Sequence, residues 1–509
     1  MKADPAPLLR ATSALGRHLG VVAMLTSALL LAACAAVPPK LPPPTLRDNA
    51  PLAGLDTAPR AGWPQTQWWR AYGDTQLDGL IARAMQNAPD LALAQARVQS
   101  AQQSARLAAA QAGLSVNGQA QFARQRMSSH GLIPSQFLGF NWYNQADLGA
   151  QLQYDFDWWG KKRASIESAL DQQRAAQAQQ SAAALAIQHA VADTYFAWLA
   201  DQARLQIAAE AVAVQQDLAS IAALRVRQGV DLADVAHSAQ AQLAAVREMQ
   251  AALQGSARIR RAALASLLGI APADLPELQA RPLPQIAGAL PADAGLDLLA
   301  RRPDIAANLW QVEAALKQTD VARAQFYPDI AISAMAGLSS IDMDKLFTSG
   351  SRVFGATPAL HLPIFSGGRL EANYGVSRAQ LDNAVAQYNA TVISAAREVA
   401  TQVLSAQQVA ERRQQQAAQI RADTNLLASA EARRRQGVRD ARESLAARAQ
   451  LLQQRDAALQ LKAQALATDL NLVKALGGGY RLDAAANTRE QSAANLPSPS
   501  AGTAAHDHR

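Results

Sequence analysis

The chain has 509 residues and a formal net charge of +7; half of its residues are hydrophobic, but only 5% are aromatic. Ala, Leu and Val therefore dominate, a composition typical of long helices that pack closely. The single Cys excludes a disulfide framework and a zinc-thiolate site, and the seven His contain no His-x-x-x-His pair. Nucleotide, nucleophile-elbow and zinc motifs are absent from the sequence. We therefore expect neither an enzyme nor a cofactor, and the dispersed Arg residues do not indicate a nucleic-acid partner.

The first 33 residues have the pattern of a lipoprotein signal peptide. A basic leader precedes a short apolar run at 21–32, which is too short to span a bilayer as a helix. The run ends in Leu31-Ala32-Ala33-Cys34, the small-residue pattern that a lipoprotein signal peptidase requires. We predict lipidation of Cys34; the alternative is an ordinary signal peptide with a chance Cys. Ala35 in the next position favours delivery to the outer membrane.

The rest of the sequence contains an internal duplication. Pro89-Asp90 recurs as Pro303-Asp304 after 214 residues, and Gln228-Gly229 recurs as Gln436-Gly437 after 208 residues. The difference of six residues predicts a loop of different length in the two copies. The predicted organisation is a Pro-rich periplasmic linker (34–62), a first repeat (63–270), a linker (271–292), a second repeat (293–479) and a disordered tail (480–509).

Each repeat is predicted to contain two strands. In segment 148–157, Leu148, Ala150, Leu152, Tyr154 and Phe156 alternate with small or polar residues. This period of two fits a transmembrane strand between lipid and water. Segments 114–124, 330–338 and 354–364 are the other candidates, and Pro358 predicts a bulge. Since no stretch after the signal offers about 20 apolar residues, any membrane crossing is expected to use strands.

Two long helices are predicted at 164–228 and 367–436. Apolar residues recur at heptad spacing in both repeats, which predicts coiled-coil neighbours. The clearest series is Leu445, Leu452, Leu459, Leu466 and Val473. Gly229 and Gly437 are predicted left-handed helix caps, so each repeat is expected to form one antiparallel helical hairpin.

Four strands per chain predict an oligomer. They are too few to close a barrel, and an open sheet edge in lipid leaves backbone groups unpaired. Two chains would give eight strands, whose interior side chains fill, whereas three chains would give twelve strands around a lumen. The prediction is a mixed, mostly α protein that forms a homotrimer, with a twelve-stranded β-barrel continued by an α-helical barrel.

The chain resembles the TolC-like outer-membrane efflux channels, and within them the NodT-type lipoprotein branch. The resemblance rests on the lipobox at Cys34, on Trp68-Trp69-Arg70-Ala71-Tyr72-Gly73-Asp74 with Leu77, on Pro89-Asp90-Leu91, on Arg301-Arg302-Pro303-Asp304, on Tyr327-Pro328 and on Gln436-Gly437. It implies the exit channel of a tripartite system that exports drugs or other toxic small molecules. The implied partners are a periplasmic adaptor (membrane fusion) protein and an inner-membrane pump of RND, major-facilitator or aromatic-acid type. The alternatives are a type I protein-secretion exit channel, a passive porin and a non-channel periplasmic coiled-coil scaffold.

The resemblance also implies functional positions at the hairpin tips. The implied adaptor-docking residues are Arg227, Gln228, Gly229, Arg435, Gln436 and Gly437, for which the alternative is simple helix capping. The implied channel gate is Arg439, Asp440, Arg442, Glu443 and Arg448, for which the alternative is a solvated charge run. The carboxylate and Arg expected further along are replaced by Ala446 and Ala449, so the family's usual gate pairing is not expected.

A cluster of aromatic and basic residues follows the clearest strand. Trp158, Trp159, Lys161 and Lys162 are predicted to form a girdle at the membrane interface, where aromatic rings lie at headgroup level and cations meet phosphate of outer-membrane lipid. Packing in the protein core is the alternative.

Overall fold

The structure is a computed structural model that describes residues 37–40, 42, 44–50, 62–128, 139–286 and 294–481. The predicted lipidation site, Cys34, lies outside the described residues. Twelve principal elements follow one another along the described chain. They are α1 (Thr75–Asn87), α2 (Pro89–Ala112), β1 (Ser115–Arg126), β2 (Trp142–Phe156), α3 (Lys161–Arg227), α4 (Ala233–Leu267), α5 (Ala294–Arg301), α6 (Pro303–Ala324), β3 (Asp329–Ser340), β4 (Arg352–His361), α7 (Arg369–Arg435) and α8 (Ala441–Ala475).

The duplication predicted from the sequence is confirmed by the elements themselves. Helices α3 and α7 are both 67 residues long, and α4 and α8 are both 35 residues long. Strands β1 and β3 have 12 residues each and keep the 214-residue spacing. The spacing between equivalent residues of the two repeats therefore changes after β1 and β3 and before α3 and α7.

A glycine closes each repeat in the same way. Gly269 and Gly477 lie in the turns after α4 and α8 with φ angles of +67° and +88°, a region that residues with a Cβ rarely adopt. A Cβ on Gly269 would lie 2.5 Å from the carbonyl oxygen of Asn87, and one on Gly477 would clash with the carbonyl oxygen of Arg301. Both glycines thus allow a helix end to touch the junction between the first two helices of its repeat.

The four strands form one antiparallel sheet in the order β1-β2-β3-β4. The registers are continuous across all three strand pairs. The bulge expected at Pro358 is wrong, because Pro358 lies directly opposite Ile332 in an unbroken register. Strand β4 is an edge strand, where the missing N–H of a proline need not interrupt the ladder.

The chain divides into two compact units made of discontinuous segments. One unit comprises Met1–Thr45, Gln99–Arg174 and Trp310–Ala386, and it contains the sheet. Its apolar cluster includes Phe326 and Tyr374, whose rings meet edge to face. The other unit comprises Leu46–Val98, Ala175–Leu309 and Gln387–Arg509, and it contains both hairpin tips.

The core of the second unit surrounds the Trp-Trp motif. Trp68, Trp69 and Tyr72 are buried with Tyr195 and Leu199 of α3. The hydroxyl of Tyr72 donates to Asp469 Oδ2 at 2.6 Å, and the hydroxyl of Tyr195 donates to Asp74 Oδ2 at 2.8 Å. Buried rings with satisfied hydroxyls give this core both apolar contact and a defined arrangement.

Among the described helices, α3 alone is long and apolar enough to cross a membrane by length and composition. This differs from the expectation that no such segment follows the signal. Its large apolar residues Val191, Tyr195 and Leu199 are fully buried in the protein core. Core packing therefore accounts for the apolar residues around Tyr195, whereas the most apolar window of 18 residues in α3 is only 17% buried in the single chain.

Candidate functional site

The two faces of the sheet have opposite chemistry. Because directly paired residues share a face, the register sorts the strands into rows. One row across the sheet consists of Val116, Leu152, Ala334 and Ala356, and the next consists of Ser115, Gln153, Ser333 and Thr357. The alternation found in one strand thus extends over all four.

The apolar face is exposed in the single chain. The side chains of Phe354 and Val116 are 83% and 61% exposed. On the polar face, Asp147 accepts a hydrogen bond from the hydroxyl of Ser339 at 2.6 Å and from the side-chain amide of Gln145. A sheet with one uncovered apolar face and one hydrogen-bonded polar face suits a boundary between lipid and water.

The predicted girdle lies where β2 ends and α3 begins. Trp158 is 68% exposed, so its ring is available for contact outside the single chain. Trp159 is more enclosed: its indole N–H donates to the Pro328 carbonyl at 2.9 Å, and its ring stacks on Tyr327 with 4.4 Å between ring centroids. Sequence reasoning assigned one role to both rings, whereas their surroundings differ.

The two lysines of the girdle make ion pairs within the chain. Lys161 Nζ lies 3.0 Å from Asp329 Oδ2, and Lys162 Nζ lies 3.5 Å from Asp155 Oδ2. Lys162 also donates to the carbonyl of Ala112 and lies over the ring of Tyr154. These cations stabilise the junction of strands and helices, so lipid phosphate is not needed to balance them.

The first described residues after Cys34 pack beside the start of β3. Val37 contacts the cluster that contains Phe326. Arg323 Nε donates to the Pro38 carbonyl at 2.8 Å, and the Tyr374 hydroxyl donates to the Pro39 carbonyl. Since Phe326 is three residues before β3, the chain just after Cys34 is held near one end of the sheet.

Both hairpin tips have the same backbone geometry. Gly229 and Gly437 have φ angles of +73° and +72°. Val230 N–H donates to the Arg225 carbonyl at 2.9 Å, and Val438 N–H donates to the Arg433 carbonyl at 3.1 Å. These six-to-one bonds are those of a Schellman cap. The glycines are therefore structural caps, whatever else the tips contact.

The outer surface of the tips is exposed and partly apolar. The polar residues predicted to dock, Arg227, Gln228, Arg435 and Gln436, are exposed. Sequence reasoning missed that Val230, Leu232 and Val438 are also exposed, Leu232 to 78%. The sequence did contain a signal. Leu232 is the N-cap residue of α4 and makes no side-chain capping hydrogen bond, whereas the equivalent residue of the second repeat is the capping Asp440. Exposed aliphatic residues beside hydrogen-bond donors are common in protein interfaces.

The predicted gate residues form a charge network inside one chain. Arg442 lies 2.8 Å from Asp440 and 3.6 Å from Asp231 of the first tip. Asp231 also accepts two hydrogen bonds from Arg225, at 2.7 and 3.0 Å. The two tips therefore share a carboxylate that sequence reasoning did not select. The sequence did contain a signal for Asp231. When the two repeats are aligned, Asp231 is equivalent to the oppositely charged Arg439, which was a predicted gate residue.

The remaining predicted gate residues form ion pairs with Glu443 or with Glu210. Glu443 lies 2.5 Å from Arg433 and 3.6 Å from Arg439, and Arg448 lies 3.8 Å from Glu210. The structure thus brings all five predicted residues into ion pairs within the chain. Ala446 and Ala449, which stand where the resemblance implies a carboxylate and an Arg, carry no charge. The ion pairs therefore form at other positions.

These pairs favour ionised carboxylates at the tips. The hydrogen bond from Arg225 holds the pKa of Asp231 below its ordinary value, and the hydrogen bond from Arg442 does the same to the pKa of Asp440. A hydrogen bond to the charged form of a carboxyl lowers its pKa. The network is therefore intact at neutral pH.

Comparison with known proteins identifies the family. Residues 80–270 and 296–478 match the model of the outer membrane efflux protein family. The chain is 34% identical over 428 residues to the multidrug resistance outer membrane protein MdtP of Escherichia coli, covering 83% of this chain and 88% of that protein. It is 32% identical over 464 residues to the multidrug resistance outer membrane protein MdtQ of Escherichia coli O157:H7, covering 89% and 96%.

A solved structure supports the same assignment. The outer membrane protein VceC of Vibrio cholerae superposes with a TM-score of 0.75 at 32% identity, covering 82% of this chain and all of that chain. The predicted mostly helical fold with four antiparallel strands and two repeats is confirmed. The chain therefore belongs to the outer membrane efflux protein family, and it is an outer-membrane efflux channel with a periplasmic helical part.

Proposed function

We propose that three copies of this chain form the exit channel of a tripartite system that exports drugs or other toxic small molecules. The observation that carries the proposal is the four-stranded sheet with one apolar and one polar face. In the chain by itself, β1 and β4 are edge strands, and pairing β4 of one copy with β1 of the next would remove both edges, as lipid requires. Twelve strands would then surround a polar lumen.

Deletion of the gene tests the exported class. The deletion strain is expected to accumulate dyes and to become susceptible to a panel of drugs, and the wild-type chain should restore resistance. Unchanged susceptibility together with loss of a secreted protein would favour the type I secretion alternative.

A heat-modifiable trimer extracted from membranes is expected, whereas a periplasmic coiled-coil scaffold would be recovered in the soluble fraction. Deletions of individual RND, major-facilitator or aromatic-acid pumps that reproduce the phenotype would identify the pump class.

The proposal includes the NodT-type lipid anchor at Cys34. Its support is the position of the residues that follow: Val37, Pro38 and Pro39 are held beside the start of β3. A lipid attached a few residues earlier would lie near one end of the strands, where a membrane leaflet is expected. The girdle residue Trp158 is exposed in the same unit and suits that leaflet.

The hairpin tips are the proposed docking surface for a periplasmic adaptor protein. Arg227, Gln228, Arg435 and Gln436 would donate hydrogen bonds, while the caps at Gly229 and Gly437 hold the turns. The test is cysteine crosslinking, which the sequence favours because Cys34 is the single native Cys. Val438→Cys is expected to crosslink to a co-expressed adaptor. Ile259→Cys, at a similarly exposed position on α4, is the matched control, and equal crosslinking of both variants would refute docking at the tips.

The proposed gate is the network that joins the two tips. Arg442 contacts Asp231 and Asp440, so its contacts link the first and second hairpins. Loss of this link would let the tips separate and the channel widen. Arg225 is unsuitable as an independent control because it binds the same carboxylate. Arg227 is the better control, since it is exposed and has no ion pair among the described residues.

A further inference from the structure

A cavity of about 710 Å³ lies in the unit that contains the hairpins. It is bounded by the middle of α3, by α7 and α8, and by segment 280–283, which follows the first repeat. Its volume falls in the range of about 300–1,000 Å³ that is usual for small-molecule sites. Neither the tip network nor the sheet contributes to it.

The cavity is lined by four cations and no carboxylate among the described residues: Arg281, Arg413, Arg455 and Lys462. Arg281 is 3.4 Å from Asp74, but Arg413 and Arg455 have no ion pair within the described parts of the chain. Positive charges gathered without counter-charges raise the local potential and attract an anion.

Lys462 is the most enclosed of these cations. Its Nζ donates to the Leu283 carbonyl at 2.7 Å, which fixes segment 280–283 against α8. Burial lowers the pKa of Lys462, and the nearby charge of Arg413 lowers it further. A bound anion would oppose both effects, because it favours the charged form of the amine.

The rest of the lining is aliphatic. Ile207, Leu283, Ile420 and Leu459 face the cavity together with several Ala residues, and no lining residue in the described chain is aromatic. Such a surface favours saturated chains over flat rings, which gain most from aromatic partners. The combination is one charged region beside one aliphatic region.

We propose that this cavity binds an aliphatic amphipathic anion, with its acidic head near Arg413, Arg455 and Lys462 and its chain against the aliphatic lining. The head would make charge-assisted hydrogen bonds with the guanidinium groups, while the chain would lose contact with water. Such a ligand would touch α3, α7 and α8 at once. Its binding would therefore stabilise the contact between the two hairpins.

The test uses two fluorinated probes and the purified full-length protein in detergent. The anion 8,8,8-trifluorooctanoate and the neutral 8,8,8-trifluorooctanamide have the same chain, and ¹⁹F NMR reports binding of either. The anion is expected to bind at least about tenfold more tightly, the ratio that one charge-assisted hydrogen bond supports. Equal binding of both probes, or binding of neither, would overturn the proposal.

Neighbouring arginines on α7 provide the matched control. Arg413→Gln and Arg455→Gln are each expected to weaken the anion by about tenfold, since each removes a charged donor to the head. Arg412→Gln should leave binding unchanged, because Arg412 lies outside the cavity and bonds to Gln464 at 3.2 Å. Equal effects of Arg412→Gln and Arg413→Gln would show that only general surface charge is measured.

Thermal unfolding gives a second readout that separates binding from folding. Octanoate is expected to raise the unfolding midpoint of the wild-type and Arg412→Gln proteins, because a ligand that binds the native state stabilises it. The increase should be smaller for Arg413→Gln and Arg455→Gln, which have little reason to change the unliganded midpoint since neither has an ion pair in the described structure. An equal increase in all four proteins would refute the assigned site.

Discussion

Replacing Leu152 or Gln153 by Arg compares two neighbours on opposite faces of one strand. Leu152 shares its row with Val116, Ala334 and Ala356, whereas Gln153 pairs with polar partners such as Ser333. If the apolar face meets lipid, Leu152→Arg should impair assembly in the membrane. Gln153→Arg should be tolerated because the new charge would meet water.

The register sets the depth of Leu152 and therefore the expected cost. On the apolar face, every second residue of β2 from Leu148 to Phe156 marks one row across the sheet. These five rows span a distance of eight residues along the strand. At ~3.3 Å per residue and a tilt of about 40°, this is roughly 20 Å of depth within an apolar band of about 25 Å. Leu152 is in the middle row. Arg near the midplane costs about 2–4 kcal/mol, a change of about 30-fold to several hundred-fold in the folding equilibrium.

The assay is equilibrium refolding into lipid vesicles over a denaturant series, with trimer on an unheated gel as the cellular measure. Leu360→Arg is the depth control, because Leu360 is in the end row with Ile330. There the cost should fall to about 0–1 kcal/mol. A loss that depended only on side-chain packing would not follow depth in this way.

Two results would refute this reasoning. Equal stability of Leu152→Arg and Gln153→Arg would mean that the faces are wrongly assigned. Equal losses for Leu152→Arg and Leu360→Arg would mean that the rows do not report depth, and hence that the strands do not cross lipid as inferred.

Cys34→Ser should abolish labelled-palmitate incorporation while export continues, because a hydroxyl cannot replace the acylated thiol; persistent label would disprove the anchor. Arg442→Glu should increase single-channel conductance and admit bulky antibiotics, whereas Arg227→Glu should not; equal conductances would place the gate elsewhere. Since the pKa of Asp440 is lowered from 3.8, its ion pair is present above that value and is lost as pH falls through the lowered pKa. Conductance should therefore be constant between about pH 5 and 8 and increase only in strong acid; an increase near pH 6 would exclude this carboxylate. Arg302→Ala should destabilise the protein by about 2–4 kcal/mol, because it removes the buried cation of an ion-pair cluster. The loss is moderate because the carboxylates left behind are half-exposed and water can reach them. Arg302→Lys should lose less stability, and an unchanged thermal unfolding midpoint of Arg302→Ala would contradict this prediction.

The expected loss at Arg302 follows from contacts that join distant segments. Its guanidinium lies 2.6 Å from Asp304 and 2.8 Å from Glu398, and it donates to the Ala475 carbonyl at 3.0 Å. The side chain is only 9% exposed. The corresponding residue of the first repeat is the buried Ala88, so this arginine is particular to the second repeat.

The repeats, the long helices and the two-faced strand could be predicted because each depends on local pattern. Period two in residues 148–157 determines which side chains share a face of an extended strand, whatever its neighbours are. The glycines at 229 and 437 similarly indicate helix ends, because the left-handed conformation favours glycine.

Tertiary structure alone decided which distant residues meet. Pro358 predicted a bulge, but its place on an edge strand lets the register continue, and the order of strands is a long-range property. The pairing of Arg442 with Asp231 joins residues more than 200 positions apart, and a charge pattern does not specify such a partner. The section of α3 around Tyr195 is buried because the core around Trp68 covers it. Local sequence determines the conformation and faces of each element, whereas burial and ion pairing depend on which surfaces the folded chain brings together.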